Sequence, residues 1–311
     1  MMKKIAIAAA VAALAAPAFA QSSVTLWGRM NTTVESQKFG NQGRTVAVVN
    51  NNSRLGFRGT EDLGGGLKAT FELEHGLNSD DGKQTNAAFW NRQASVQLAG
   101  DFGAVRLGRW IPGSYFATAD YVSLHNHDTG SSEDKLYSGA GFTQTNKVGY
   151  FTPNISGFTG EFAMHAGEGA DARGYDASVN YDQGPLHLGA GFSKQDKAKQ
   201  YAIRGLYELG AFTFGGYFQR EDLGVGANAT RNIGRVAVMY TMGQSEFHLN
   251  IGGSKAGGAL GSYGASQYTL AYNYNLSKRT KLYGFYTTYD SKAPNKANDF
   301  NSIAAGIRHN F

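Results

Sequence analysis

Arginine recurs in this chain beside strongly apolar neighbours. Arg29 shares its alternation with Thr25 and Asn31 and avoids Val24 and Leu26. Arg54 and Arg58 alternate with Leu55 and Phe57, and Arg106 stands between Val105 and Leu107. In an extended chain successive side chains point to opposite faces. These four guanidiniums therefore lie on the face away from the oil. Arginine does not titrate near neutral pH, so such a row offers no proton transfer. It offers a fixed positive field, which selects among ions wherever that face borders a water path. Arg109 breaks the pattern, because it shares parity with Val105 and Leu107. Strict alternation sends it to the apolar side unless a bulge near Gly108 turns it.

The acids able to oppose that field fall together. Asp120, Asp128, Glu133 and Asp134 lie in one stretch from Pro112 to Thr145 that has no sustained period. Loops of that length in compact domains are usually functional or disordered. Its aromatics (Tyr115, Phe116, Tyr121, Tyr137, Phe142) argue that it packs against something. Other chemistries are weaker. His125, His127 and Asp128 share a short segment, but two His and one Asp without a fourth ligand do not make a metal site. Cysteine is absent, which excludes thiol catalysis and Cys-built zinc sites. No G-x-S-x-G elbow and no phosphate-cradling P-loop occur. No enzyme activity, metal or cofactor is expected; an outer-membrane hydrolase remains the rival from a different class, since His and Ser are both present.

Positioning the arginines requires elements of period two. "SRLGFRGTE" and "LKATFELEHG" flank the turn "DLGGG", each with one oily and one charged face. The same pattern runs from "VTLWGRMNTTV" to "SIAAGIRHNF", in segments of roughly ten residues and about sixteen strands in all. Short turns ("GDFG", "PNISG", "DQGP", "MGQS", "LSKR") interleave with longer polar loops such as "QKFGNQGRTVAVVN", "REDLGVGANAT" and "SKAPNKAND". Short turns on one rim and long loops on the other describe a transmembrane antiparallel β-barrel. A soluble sandwich would also alternate. Three features favour lipid: small and aromatic outward candidates (Ala69, Ala94, Tyr272, Tyr274, Tyr286), long charged chains in mid-strand, and a chain that ends inside a strand on Phe311. A last strand left as an edge would be a liability; pairing it with the first one closes the barrel.

The N-terminus has its own logic. Lys3 and Lys4 precede the apolar run Ile5–Ala16, and Ala18-Phe19-Ala20 fits a cleavage site. Residues 1–20 are expected to be a secretory signal peptide and 21–311 one barrel domain. Its removal takes 29 basic and 24 acidic residues to 27 against 24, net +3, too little to argue for nucleic acid as partner.

"SSVTLWGRMN", "SRLGFRGTEDLGGGLKATFELEHG", "FWNRQASVQLAGDFGAVRLGRW" and the terminal "GIRHNF" resemble, in order, segments of Gram-negative general porins of the betaproteobacterial type. The resemblance spans the chain after residue 20. It implies sixteen strands in the outer membrane, a homotrimer, and passive diffusion of small hydrophilic solutes and ions. It implies that the third extracellular loop, here Pro112–Thr145, folds inward and narrows the pore. It also implies that the arginine of "LGRW", Arg109, lines the pore. The chain departs from the pattern upstream of "VGYFTP", where Thr143, Gln144 and Thr145 stand and Lys147 would partly substitute for a lumen arginine. The familiar "PEFGG"-like turn is absent from the loop. Anion preference is expected from the arginines; the alternative is a channel selective for an organic acid or phosphate.

Overall fold

The computed structural model describes residues 23–120, 122, 130–225, 229–256, 264–293 and 296–311. Its strands are β1 (Ser23–Phe39), β2 (Thr45–Asn50), β3 (Arg54–Gly64), β4 (Leu67–Gly76), β5 (Gln93–Gly100), β6 (Gly103–Arg109), β7 (Lys147–Phe151), β8 (Phe158–His165) and β9 (Gly174–Gln183). They continue as β10 (Leu186–Gln195), β11 (Ala198–Leu209), β12 (Phe212–Asp222), β13 (Thr230–Met242), β14 (Ser245–Ala256), β15 (Ala265–Asn275), β16 (Thr280–Ser291) and β17 (Phe300–Asn310). β1 pairs antiparallel with β2 and β3, each strand from β3 onward pairs antiparallel with the next, and β17 returns to β1 from Arg29↔Asn310 to Phe39↔Phe300. β2 covers Thr32–Gln37 of β1 and β3 covers Ser23–Arg29. They are thus two halves of one interrupted barrel strand, and the molecule is a closed sixteen-stranded barrel.

One expectation about the loops fails. "QKFGNQGRTVAVVN" is mostly strand, because β1 runs on to Phe39 and β2 starts at Thr45. Val46 and Val48 are paired with Ser36 and Val34 and continue the period-two pattern that the loop reading passed over.

The wall is inverted relative to a water-soluble protein. Ile203, Leu270, Ile303, Phe162 and Val236 are exposed, whereas Asn31, Glu35, Gln219, Gln267, Asn273, Thr287 and Ser302 are almost wholly buried. Leaving so many large apolar side chains in water would cost on the order of tens of kcal/mol. In lipid that cost vanishes, and the closed ladder satisfies every strand.

Closure ends on Phe311. The Gly28 N–H donates to the Phe311 carbonyl at 3.0 Å, and the Phe311 N–H donates to the Gly28 carbonyl at 3.1 Å. A Cβ at position 28 would stand 2.5 Å from the Phe311 ring, so glycine is required for the terminal ring to lie flat on β1. The turn between β3 and β4 needs glycine for a different reason: Gly64, Gly65 and Gly66 all have φ between +61° and +83°.

Candidate functional site

Between β6 and β7 the described residues of segment 110–146 leave the wall and fold against its inner face. A helical turn at Gly113–Tyr115 runs into a π-helical turn at Phe116–Asp120, and a 3₁₀ turn spans Gly130–Ser132. Ala119, Val122 and Leu136 from this segment pack with Tyr217, Ile233, Ala237 and Ala265 of the wall into a small apolar core. Inward-facing side chains then pin the backbone. Arg204 Nε donates to the Ala117 carbonyl at 2.7 Å, Arg231 Nη2 to the Leu136 carbonyl at 2.8 Å, and Gln267 Nε2 to the Glu133 carbonyl at 2.7 Å. Ser114 Oγ donates to Asp176 at 2.6 Å, Ser138 Oγ to Glu221 at 2.7 Å, and Trp110 Nε1 to Glu161 at 2.7 Å. Ser131 donates to Glu35 on β1. The segment is therefore anchored to strands on several sides of the barrel.

Between it and the wall lies a cavity of about 710 Å³. Arg29, Arg54 and Arg92 line it with Lys135, Asp120, Glu133 and Asp134, together with Tyr115, Phe116, Tyr137 and Phe142. Arg29 comes from β1 and Arg54 from β3, directly paired across the ladder. Arg29 Nε donates to Asn310 Oδ1 at 3.2 Å. Arg54 and Arg92 converge on one carboxylate oxygen of Glu74, at 3.4 and 2.5 Å. Arg92 opens the alternating segment "RQASVQLAG", where it shares parity with the outward candidate Ala94, but it precedes β5 and turns to the cavity. Lys135 escaped the sequence reading inside the aperiodic stretch; its ammonium sits 4.8 Å over the Phe300 ring and 3.8 Å from Glu133.

The other arginines lie elsewhere. Arg58 pairs with Thr25 and Glu72, four residues along β3 from Arg54, and stands 6.0 Å over the Trp27 ring outside the cavity lining. Arg106 shares the face of Gln97, to which it donates at 2.9 Å, and stacks 4.3 Å over Phe151. It too is outside the lining. Arg109 ends β6 beside the cavity. Gly108 has φ +122°, but the β5–β6 ladder runs without a register shift and pairs Arg109 with Ala94. Its guanidinium donates to the Asn91 carbonyl at 2.8 Å and to Gln144 Oε1 at 3.0 Å, and it does not line the cavity. Lys147 is buried behind the segment, with its ammonium 4.5 Å from the Trp110 ring, so it does not replace a lumen arginine at the cavity.

Among the acids, Asp120 and Glu133 line the cavity, Asp120 accepting from the Tyr115 hydroxyl at 3.2 Å. Asp134 does something else. Its side chain is 0 % exposed, ion-paired to Arg235 at 2.8 Å and hydrogen-bonded to Tyr217. The adjacent acids diverge because Leu136 must reach the apolar core, which turns Asp134 to the wall and Glu133 to the water. Asp128, with His125 and His127, lies outside the described residues. Among the described residues no group of three or more His, Cys, Asp or Glu could hold a metal.

The chain matches the family model described as Gram-negative porin over residues 6–294. It is 34% identical to outer membrane porin protein 32 of Delftia acidovorans, over 91% of this chain and 88% of that one. It is 27% identical, over the whole of both chains, to the major outer membrane protein P.IB of Neisseria meningitidis serogroup B. The solved structure of the anion-selective porin from Comamonas acidovorans superposes with a TM-score of 0.76 at 27% identity, covering 93% of this chain and 100% of that one. OmpT of Vibrio cholerae, in its trimer form, superposes at 0.70 with 15% identity over 93% of this chain and 99% of that one, a likeness of fold.

Proposed function

The chain belongs to the Gram-negative porin family of outer-membrane channels, which are not enzymes, and we propose that it passes small hydrophilic solutes by passive diffusion with a preference for anions. The observation that carries this reading is the cavity lining. Arg29, Arg54, Arg92 and Lys135 face it with Asp120 and Glu133, the Asp134 charge is met by buried Arg235, and Arg54 and Arg92 share the single charge of Glu74, so the balance stays positive. The anion selectivity named for the Comamonas porin supports the same sign. Segment 110–146 is proposed as the constriction, since it carries one side of that cavity. At 0.1–0.15 M salt the Debye length is about 8–10 Å, so wall charges act across much of a narrow opening. The test is the reversal potential of single channels in a potassium chloride gradient. Anion preference that weakens as salt is raised is expected; cation preference would overturn the reading and shift the selecting role to the loop acids.

Processing and assembly complete the proposal. Residues 1–20 are removed after export, and three copies associate, as the trimer form of the Vibrio protein suggests. A contact element is available. Phe89 and Trp90, in the connection between β4 and β5, fold onto the outer wall: Phe89 stacks 4.2 Å from His75, Trp90 meets Phe57 at 6.3 Å, and Phe89 stays 55% exposed. Native mass spectrometry of outer-membrane protein reads both points. A trimer of chains beginning at Gln21 is expected; a monomer, or retention of Lys3, would count against the respective part.

A further inference from the structure

The inward face of the barrel is mostly amide, hydroxyl and charge, yet a continuous aromatic surface borders the cavity. Tyr115 contacts Phe116 at 5.2 Å, Tyr137 at 5.4 Å and Phe142 at 6.3 Å, and Tyr137 contacts Phe142 at 5.8 Å. Burial raises the Tyr137 phenol well above its ordinary range, so it remains neutral. Tyr137 helps seat the segment, packing against the core of Ala119, Val122 and Leu136 and accepting from Gln200 Nε2 at 3.1 Å, but Phe116 is not part of that core. Phe116 is the anomaly. It is 47% exposed and lines the cavity. A phenyl group turned to water gains nothing by hydration, and no bilayer reaches this side of the wall. The wall side of the same cavity presents the forked guanidiniums of Arg54 and Arg92, 3.4 and 2.5 Å from a shared Glu74 oxygen, with Arg29 beside them. Guanidinium forks match carboxylates in geometry as well as charge. The volume lies in the range that holds small organic ligands between apolar walls and a few fixed polar groups.

We propose that this cavity is a binding station for carboxylates that carry a planar aromatic ring. The carboxylate meets Arg54 and Arg92, and the ring lies against Phe116 and Tyr115. The inference deepens the anion-channel reading and rests on it. Acetate receives only the arginine half of the site, and a saturated ring adds apolar burial without the ring–ring contact. Offset or edge-on ring contacts add to apolar burial, so an aromatic acid should hold about three- to tenfold more tightly than a saturated acid of equal size. Because the site is open to the water path on a channel, such binding is read as a saturable, reversible reduction of the chloride current.

The experiment compares block of single-channel chloride current by sodium benzoate, cyclohexanecarboxylate and acetate, with the potassium chloride reversal potential measured on the same channels. Benzoate is expected to half-block at a concentration severalfold below cyclohexanecarboxylate and more than tenfold below acetate. Phe116→Leu, which keeps bulk and lacks a π face, should bring benzoate level with cyclohexanecarboxylate. Anion-selective channels on which benzoate has no advantage, or on which Phe116→Leu leaves that advantage intact, overturn the station and leave the anion-channel reading standing. Cation-selective channels on which benzoate blocks through Phe116 would sustain the ring contact and overturn the anion reading. Folding of the variant is checked by its shift on unheated gels; were it unfolded, Phe116→Tyr, predicted to keep the benzoate advantage, is compared with Tyr115→Leu, predicted to lose part of it.

Discussion

A charged side chain influences an ion only where its field reaches the water path, and that divides residues which look alike in sequence. Arg54 and Arg58 sit on the same face of β3, but the cavity is lined by Arg54 and not by Arg58. Arg92, which period two would send outward with Ala94, shares Glu74 with Arg54. Changing Arg54 and Arg92 together to Ser should lower anion preference clearly in reversal-potential measurements. Arg58→Ser should change it little, because the guanidinium stands over Trp27 toward the short-turn rim. Both positions face water, so neither change bears the penalty of about 2–4 kcal/mol that an arginine at the lipid midplane would. An equal loss from Arg58→Ser alone would place the selecting field away from the cavity. At this scale the sequence was half legible. Alternation assigned a face to Arg29, Arg54, Arg58 and Arg106, but a face is not a depth.

At the scale of elements, the strands were readable because period two states their orientation directly, and the turns because Gly64–Gly66 and their like need left-handed backbone. The path of segment 110–146 was not readable, since an aperiodic stretch does not say which side chain meets which wall. The wall arginines that hold it, Arg204, Arg231 and Arg235, stand in alternating strands and could have been marked as inward. Their partners could not. The Asp134–Arg235 pair is the strongest of these holds, since both side chains are at most 1% exposed. Removing one member of a buried pair costs about 3–5 kcal/mol, because a charge is left behind without its partner, whereas a well-packed apolar replacement of both is often tolerated. Asp134→Asn is therefore expected to loosen the segment, giving larger and noisier conductance steps and protease cleavage between residues 112 and 145. Asp134→Leu combined with Arg235→Met should return steadier channels. Unchanged steps and protease resistance in Asp134→Asn would mean that the apolar core of Ala119, Val122, Leu136 and Ile233 holds the segment without the pair.

At the scale of the whole molecule, stability depends on a ring having no ends. Every strand of the barrel is paired on both sides, and in hydrocarbon an unpaired backbone group costs several kcal/mol with no water to relieve it. The seam between β17 and β1 joins the two ends of the chain and bears the largest sequence separation, so its loop-closure cost is the greatest. Phe311 completes that seam twice over: its backbone exchanges two hydrogen bonds with Gly28, and its ring covers the glycine on the lipid side. The terminal aromatic was legible as an outward residue by counting back through His309, Ile307, Ala305 and Ile303; that it would need a glycine opposite was not, since this follows from the register of Arg29 with Asn310. Deleting Phe311 removes both hydrogen bonds and bares the Gly28 backbone to lipid. Shortening the connection between β16 and β17 within Ala293–Asn298 removes no strand pairing. The deletion is therefore expected to lower the yield of heat-modifiable, membrane-inserted protein severalfold, while the shortened loop assembles at near-normal levels. Equal yields of folded protein from the two variants would show that closure does not depend on the terminal residue and that the remaining eleven residue pairs of the β1–β17 seam from Arg29 to Phe39 suffice.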